Sequence, residues 1–185
     1  VLHAEPNAAI NLGVRAGTTP EAFAKAIEDG TLEKYLHILP IKAGDVICVP
    51  SGSLHALLAG ALIAEIQQNS NTTYRVYDWN RTQNGKSRPL HIRQSLEVIN
   101  FDQVEPTLSV PQEIASAAGI HRFMLCKNQY FATERVELAA GASFVGDCDG
   151  HTLEIWGLIA GQGRVNEMDI HAVDFVLLPA AMGRY

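Results

Sequence analysis

Apolar residues follow a helical spacing in the first part of the chain. Over residues 18–30 they recur at i, i+3 and i+4, which is the spacing of one helix face. Within this stretch Thr19 stands in the position of an N-cap, and Pro20 follows it in the first turn. The pattern predicts a helix over 18–30 and a second short helix over 31–39.

The spacing changes after residue 40. Short apolar or β-branched runs now alternate with Gly, Ser and Asn, which is typical of strands and turns. These runs predict strands over 41–50, 61–67 and 72–79. Helical spacing returns near 90–100 and predicts a helix that closes this part of the chain.

The same pattern divides the chain into three parts. Residues 1–101 form a first domain, which carries a helical insertion over about 18–39. Residues 102–118 contain two prolines and predict a linker. Short runs with glycine turns over 119–185 predict a second β domain. We therefore expect a mainly β protein.

Composition and charge restrict the kinds of partner that the protein can bind. The chain has 185 residues, of which 47% are hydrophobic and 18% charged, and a net charge of -6. It contains no run of Lys or Arg, which argues against nucleic acid and a membrane surface as partners. A small anionic substrate remains compatible, since a few well-placed cations suffice to bind it.

The cysteines, the lack of a targeting segment and the ends of the sequence give three further expectations. Cys48, Cys126 and Cys148 are far apart in sequence and predict buried free thiols in a reducing compartment. No signal peptide or membrane-length apolar stretch is present, so we expect a cytoplasmic protein. The chain begins at Val1 and stops just after a predicted strand and turn, which predicts a piece of a larger protein.

His55 is the first candidate for chemistry. It follows Gly44, Pro50 and Gly52 at a spacing that resembles the second motif of the cupin double-stranded β-helix, although Ala59 replaces the usual final Asn. A strand followed by a tight corner would direct this imidazole to the mouth of a barrel, where it can bind a divalent metal. The alternative is a histidine hydrogen-bonded within a packed core.

A more specific stretch follows at residues 65–81, EIQQNSNTTYRVYDWNR, and LHIRQSLEVINF comes after it. Together with the corner before His55, these segments resemble the type I mannose-6-phosphate isomerases in their short bacterial form. The resemblance covers nearly the whole chain and is most specific over 40–101.

The resemblance implies two cupin, or jelly-roll, barrels. Residues 1–101 correspond to the C-terminal part of a catalytic barrel, and 119–185 to a degenerate barrel that is incomplete at its C-terminus. It further implies the interconversion of mannose 6-phosphate and fructose 6-phosphate with one zinc ion. His55 would be one zinc ligand, and the others would lie upstream of residue 1. The catalytic arginine would be Arg75.

The chemistry of aldose–ketose isomerisation agrees with these roles. A proton moves between adjacent carbons, so the site needs a base and groups that stabilise oxyanions. A guanidinium does not lose its proton, so Arg75 suits electrostatic stabilisation. Glu65 is a candidate for contacting the substrate or orienting a metal ligand. The structural alternatives are an ion pair between Arg75 and Asp78 and a purely structural Glu65.

Two other functions remain open at this point. One is a non-catalytic sugar-phosphate-binding cupin module, and the other is a different metal-dependent cupin enzyme. Because one imidazole cannot hold zinc in its usual four-coordinate arrangement, we expect weak zinc affinity and little isomerase activity from these 185 residues alone.

Overall fold

The computed structural model describes residues 1–79, 81–83 and 85–185. Asn80, inside the 65–81 stretch, and Asn84, in the loop that follows it, lie outside the described residues. The chain divides into two compact units. The first consists of Val1–Gln112 and Leu125–Thr133, and the second of Glu113–Met124 and Glu134–Tyr185.

Short strands and two helices make up the first 100 residues. They are β1 (His3–Ala4), β2 (Ala9–Val14), α1 (Pro20–Glu28), a 3₁₀ turn (Leu32–Tyr35), β3 (Leu36–Pro40), β4 (His55–Leu57), β5 (Ala61–Leu62), β6 (Thr82–Gln83), β7 (Lys86–Ser87) and α2 (Ile92–Val98). The main sheet has the order β3-β2-β4 and is antiparallel, and β1 pairs with β5 and β6 with β7.

The core of the first unit forms around β2. All residues from Ile10 to Val14 are buried, as expected for a central strand that is covered on both faces. Val14 packs in one cluster with Phe23 of α1, and the Phe23 ring meets Phe101 edge to face at 5.4 Å between centroids. α1 begins at Thr19, whose Oγ1 accepts a hydrogen bond from the Ala22 N–H at 3.2 Å, which confirms the predicted N-cap.

The remaining strands follow from residue 112 onward. They are β8 (Gln112–Ala117), β9 (Ile120–Lys127), β10 (Ala132–Leu138), β11 (Asp147–Cys148), β12 (Glu154–Gly157), β13 (Gln162–Val165), β14 (Met168–His171), β15 (Phe175–Leu178) and β16 (Gly183–Arg184), with a 3₁₀ turn (Ala180–Met182) before the last. They form a β10-β9-β8 sheet and the antiparallel pairs β12-β15, β13-β14 and β11-β16. The predicted mainly β class is confirmed.

Three local predictions are wrong. The helix predicted over 31–39 is only a 3₁₀ turn followed by β3, because pairing with β2 overrides the helical spacing. The linker predicted over 102–118 is wrong only in its last part, where β8 pairs with β9, whereas residues 102–111 form no helix or strand.

The third wrong prediction concerns the strands over 41–50, 61–67 and 72–79. Within the described residues these segments form only β5 and one isolated bridge, between Val46 and Ser109. Apolar alternation indicates a strand, but the strand exists only where a partner supplies hydrogen bonds.

Neither helix of the described residues has the length and apolar composition of a membrane-spanning segment.

We expect Phe23→Ala to lower the free energy of unfolding of the first unit by about 3–5 kcal/mol, because it removes a fully buried ring and leaves a cavity. Urea unfolding followed by circular dichroism measures this change. Val110→Ala is the control, since Val110 is 83% exposed and its truncation should change stability by less than about 0.5 kcal/mol. Equal effects of the two variants would contradict this description of the core.

Candidate functional site

His55 is the first residue of β4, directly after the Pro50-Ser51-Gly52 corner. Pairing with β2 fixes its backbone position, with His55 opposite Leu12. The side chain is exposed, so the described residues do not bury it in a packed core. Its Nδ1 lies 3.0 Å from the Ser53 carbonyl oxygen and donates to it in the matching tautomer. This tautomer leaves the lone pair of Nε2 free to bind a metal or accept a proton.

The end of α2 supports the corner before His55. Gly52 has a φ of 83°, and its carbonyl oxygen accepts a hydrogen bond from the Asn100 N–H at 2.9 Å. A Cβ at Gly52 would lie 2.7 Å from the Val98 carbonyl oxygen, so only glycine fits the gap. The direction in which His55 leaves the corner therefore depends on α2.

The described residues do not form a zinc site by themselves. Among residues 1–79, 81–83 and 85–185, no group of three or more His, Cys, Asp and Glu side chains is arranged to hold a metal ion. A tetrahedral zinc site needs at least three protein ligands. The free Nε2 of His55 has the chemistry of one ligand, and the other ligands would have to come from elsewhere.

His91 holds the backbone of Arg75 on both sides. The His91 N–H donates to the Arg75 carbonyl oxygen at 2.7 Å, and the Arg75 N–H donates to His91 Nδ1 at 3.3 Å. His91 immediately precedes α2, but its side chain does not cap that helix. The sequence places His91 in the LHI segment of the resemblance, yet the pattern gives no indication of this contact with Arg75.

The Arg75 side chain is half-buried and does not pair with Asp78. Both carboxylate oxygens of Asp78 accept hydrogen bonds from Arg88, one of them from Nε at 2.7 Å. The proposed Arg75–Asp78 ion pair is therefore wrong. No carboxylate lies within salt-bridge distance of the Arg75 guanidinium in the part of the chain that the structure describes.

Asp78, three residues after Arg75, is paired with Arg88. Asp78 is 6% exposed and follows the buried Val76 at the alternation of an extended chain. The hydrogen bonds from Arg88 lower the pKa of Asp78, and the charges of Arg88, Arg75 and Arg81 lower it further. Arg88 thus forms an ion pair with Asp78, whereas Arg75 forms no ion pair with any carboxylate of the described residues.

Glu65 is exposed and lies in an irregular segment after β5. Within the described residues, no hydrogen bond or ion pair joins His55, Glu65 and Arg75. A surface depression of about 470 Å³ in the second unit, lined by apolar residues such as Met168 and Val176, contains none of the three. The structure thus places His55 and Arg75 on supported backbone but leaves Glu65 on an unsupported segment.

Asn11 is a further polar candidate near His55. It lies in the middle of β2 opposite Ala56, the neighbour of His55, and it is 4% exposed. Its Oδ1 has no hydrogen-bond partner among the described residues. A polar residue inside the apolar run 8–14 is the only signal of it in the sequence.

The fold matches that of a cupin-type isomerase. Superposition on the crystal structure of the mannose 6-phosphate isomerase from Bacillus subtilis gives a TM-score of 0.85 at 29% identity, over 100% of this chain and 58% of that one. The predicted cupin class is confirmed.

Sequence comparison gives the same relationship. The chain is 32% identical to the probable mannose-6-phosphate isomerase GmuF of Bacillus subtilis, over 100% of this chain and 58% of that protein. It is 31% identical to the mannose-6-phosphate isomerase of Streptococcus mutans, over 97% and 56%. No family model matches the sequence. The chain is therefore related along its whole length to the mannose-6-phosphate isomerases, and it spans less than two thirds of these relatives.

We expect Gly52→Ala to be far more destabilising than Gly44→Ala. Both glycines have a positive φ, but a Cβ at Gly44 meets nothing within 4 Å. Gly44→Ala should therefore cost only the backbone strain, about 1–2 kcal/mol. Gly52→Ala adds the clash with Val98 and should cost about 3 kcal/mol or more in urea unfolding. Equal losses would show that the corner does not rest on α2.

The Asp78–Arg88 pair predicts a pH dependence of stability. The pKa of Asp78 is lower in the folded chain than in the unfolded one, so the pair stabilises the fold above pH about 4, the unfolded pKa. This stabilisation is lost as the pH falls through the folded pKa. Asp78→Asn should therefore reduce stability at pH 7 and flatten its decline between pH 5 and pH 2, as measured by urea unfolding. An unchanged decline would contradict the assignment.

Proposed function

We propose that the protein to which this chain belongs interconverts mannose 6-phosphate and fructose 6-phosphate. The observation that supports this most is the whole-length match to the Bacillus subtilis mannose 6-phosphate isomerase, with a TM-score of 0.85. The TTYRVYD segment around Arg75 agrees with it, because it carries the family resemblance and holds a supported, unpaired cation.

Arg75 would stabilise negative charge during the proton transfer. Removal of a proton next to a carbonyl places charge on the oxygens at C1 and C2 of an enediolate. A guanidinium presents several N–H donors in a fixed plane and keeps its charge at any physiological pH. His91 fixes the backbone from which this side chain extends, and Asp78 is already neutralised by Arg88. Arg75 is therefore available to an anionic substrate.

We also propose zinc as the cofactor, with His55 as one ligand. The Ser53 carbonyl orients the ring so that Nε2 carries the free lone pair, as the outer hydrogen bond of a zinc-bound histidine does. Bound zinc would supply a Lewis acid for the carbonyl and hydroxyl oxygens of the sugar. The described residues provide one ligand only, so the complete set requires residues outside them.

We also propose that Glu65 contacts the substrate. Glu65 is exposed and follows β5, so its carboxylate is free to accept hydrogen bonds from sugar hydroxyls. We propose a cytoplasmic location, because all three cysteines are free thiols, as is usual in a reducing compartment.

A chimera tests the proposed activity. These 185 residues would replace the matching 58% of the Bacillus subtilis isomerase, and a coupled assay with zinc would follow mannose 6-phosphate conversion. We expect turnover by the chimera and little turnover by the 185 residues alone. A folded chimera that binds fructose 6-phosphate without turnover would instead favour a non-catalytic sugar-phosphate-binding module.

In the chimera, Arg75→Lys should lower kcat by about 10²-fold or more, because the ammonium cannot reproduce the planar donors. Arg93→Lys is the matched control. Arg93 is an exposed residue of α2 that pairs with Glu97, and its replacement should leave kcat unchanged. An unchanged kcat in Arg75→Lys would contradict the role of Arg75 without disproving the isomerase activity.

A further inference from the structure

The three cysteines do not lie as the sequence predicts. Only Cys148 is buried, whereas Cys126 is half-buried and Cys48 is exposed. The three thiols are free, as predicted, but the prediction that all of them are buried is wrong. Cys48 and Cys126 lie far apart in sequence, but the fold brings them together within the first unit.

The two sulfur atoms are in direct contact. Cys48 Sγ and Cys126 Sγ lie 2.9 Å apart, about 1 Å more than a disulfide bond requires. Cys48 follows Val46, whose carbonyl oxygen accepts a hydrogen bond from the Ser109 N–H at 3.0 Å. Cys126 lies in β9, next to a turn closed by the Asn128 N–H and the Phe131 carbonyl oxygen at 3.0 Å. Backbone hydrogen bonds thus hold the chain beside each thiol.

We propose that Cys48 and Cys126 form an oxidation site that a hydroperoxide converts into an intramolecular disulfide. The Cys48 thiol loses its proton, and the thiolate attacks an oxygen of hydrogen peroxide, which breaks the O–O bond and gives a sulfenic acid; the departing hydroxide takes up that proton and leaves as water. The Cys126 sulfur then attacks the sulfenic sulfur and releases a second water. Two thiols are oxidised, one peroxide is reduced, and a dithiol reductant restores the pair.

The surroundings of the two thiols indicate that Cys48 reacts with the peroxide and that Cys126 then forms the disulfide. Cys48 is exposed and meets the peroxide first, while Cys126 is partly covered and lies next to it. The hydrogen bond with Cys48, together with burial, raises the pKa of Cys126 to about 11, so Cys126 waits as a thiol. Cys148 has no sulfur partner in the described residues, and its burial both raises its pKa and excludes an oxidant.

The disulfide would connect two segments that are 78 positions apart in the chain. One of them leads through Pro50 into the Gly52 corner before His55, and the other is β9. A cross-link over so long a separation restricts the unfolded chain strongly and should raise the Tm. Oxidation would thus stabilise the segment from Cys48 to Gly52, which leads to His55.

The test exposes the reduced protein to hydrogen peroxide and counts its free thiols under denaturing conditions. We expect a loss of two of the three thiols, a monomer on a non-reducing gel and a higher Tm. Peptide mapping should find a cross-link between Cys48 and Cys126, with Cys148 still alkylated. Dithiothreitol should return all three thiols and the original Tm.

Three single variants test the assignment, with Cys148→Ser as the matched control. Cys48→Ser and Cys126→Ser should each lose the cross-link and the shift in Tm, whereas Cys148→Ser should keep both. Because the mapping uses the unaltered protein, the test does not depend on how the variants fold. Oxidation of Cys48 to a sulfinic acid with Cys126 still alkylated, a cross-link to Cys148, or a disulfide-linked dimer would overturn the proposal.

Discussion

Hydrogen bonding of β2 to strands on both of its sides is the constraint on which the rest of the first unit depends. β3 and β4 pair with it, and its buried side chains contribute to both apolar clusters. The Gly13 N–H donates to the Leu54 carbonyl oxygen at 2.7 Å, directly before His55. A change in the register of β2 would therefore move the core and the candidate ligand together, since a shift by one residue reverses the side chains.

A second support comes from α2, which reaches both parts of the candidate site. His91, just before the helix, binds the backbone of Arg75, and Asn100, just after it, binds Gly52. The helix itself contributes Leu96 to the core cluster that contains Phe23. The residues that flank this short helix thus help to position both His55, the candidate ligand, and Arg75, the candidate catalytic cation. This arrangement explains why segments without regular secondary structure can still hold functional residues.

The sequence predicted those features that depend on neighbouring residues. The Thr19 cap, the α1 face and the glycine corner follow from local propensity and turn chemistry. The helix over 31–39 failed because pairing of Leu36–Pro40 with β2 is a tertiary interaction that no local spacing encodes. Of the strands predicted over 41–50, 61–67 and 72–79, only β5 and the Val46–Ser109 bridge form within the described residues, because alternation alone supplies no partner strand.

The candidate site divides in the same way. His55 and Arg75 were found from motif spacing and resemblance, because both lie in short and specific stretches. The sequence does not predict three contacts that the structure shows: His91 with Arg75, Arg88 with Asp78, and Cys48 with Cys126. Each of them joins residues that lie 10 to 78 positions apart, and nothing in the intervening sequence indicates the contact.

We propose that this chain supplies a zinc ligand, His55, and a substrate-facing cation, Arg75, to an isomerase site. An anomalous diffraction map of the chimera crystallised with zinc and fructose 6-phosphate tests it most directly. We expect zinc at about 2.0–2.1 Å from His55 Nε2 and the Arg75 guanidinium within hydrogen-bond distance of the sugar. Zinc bound without His55, or a sugar far from Arg75, would contradict it.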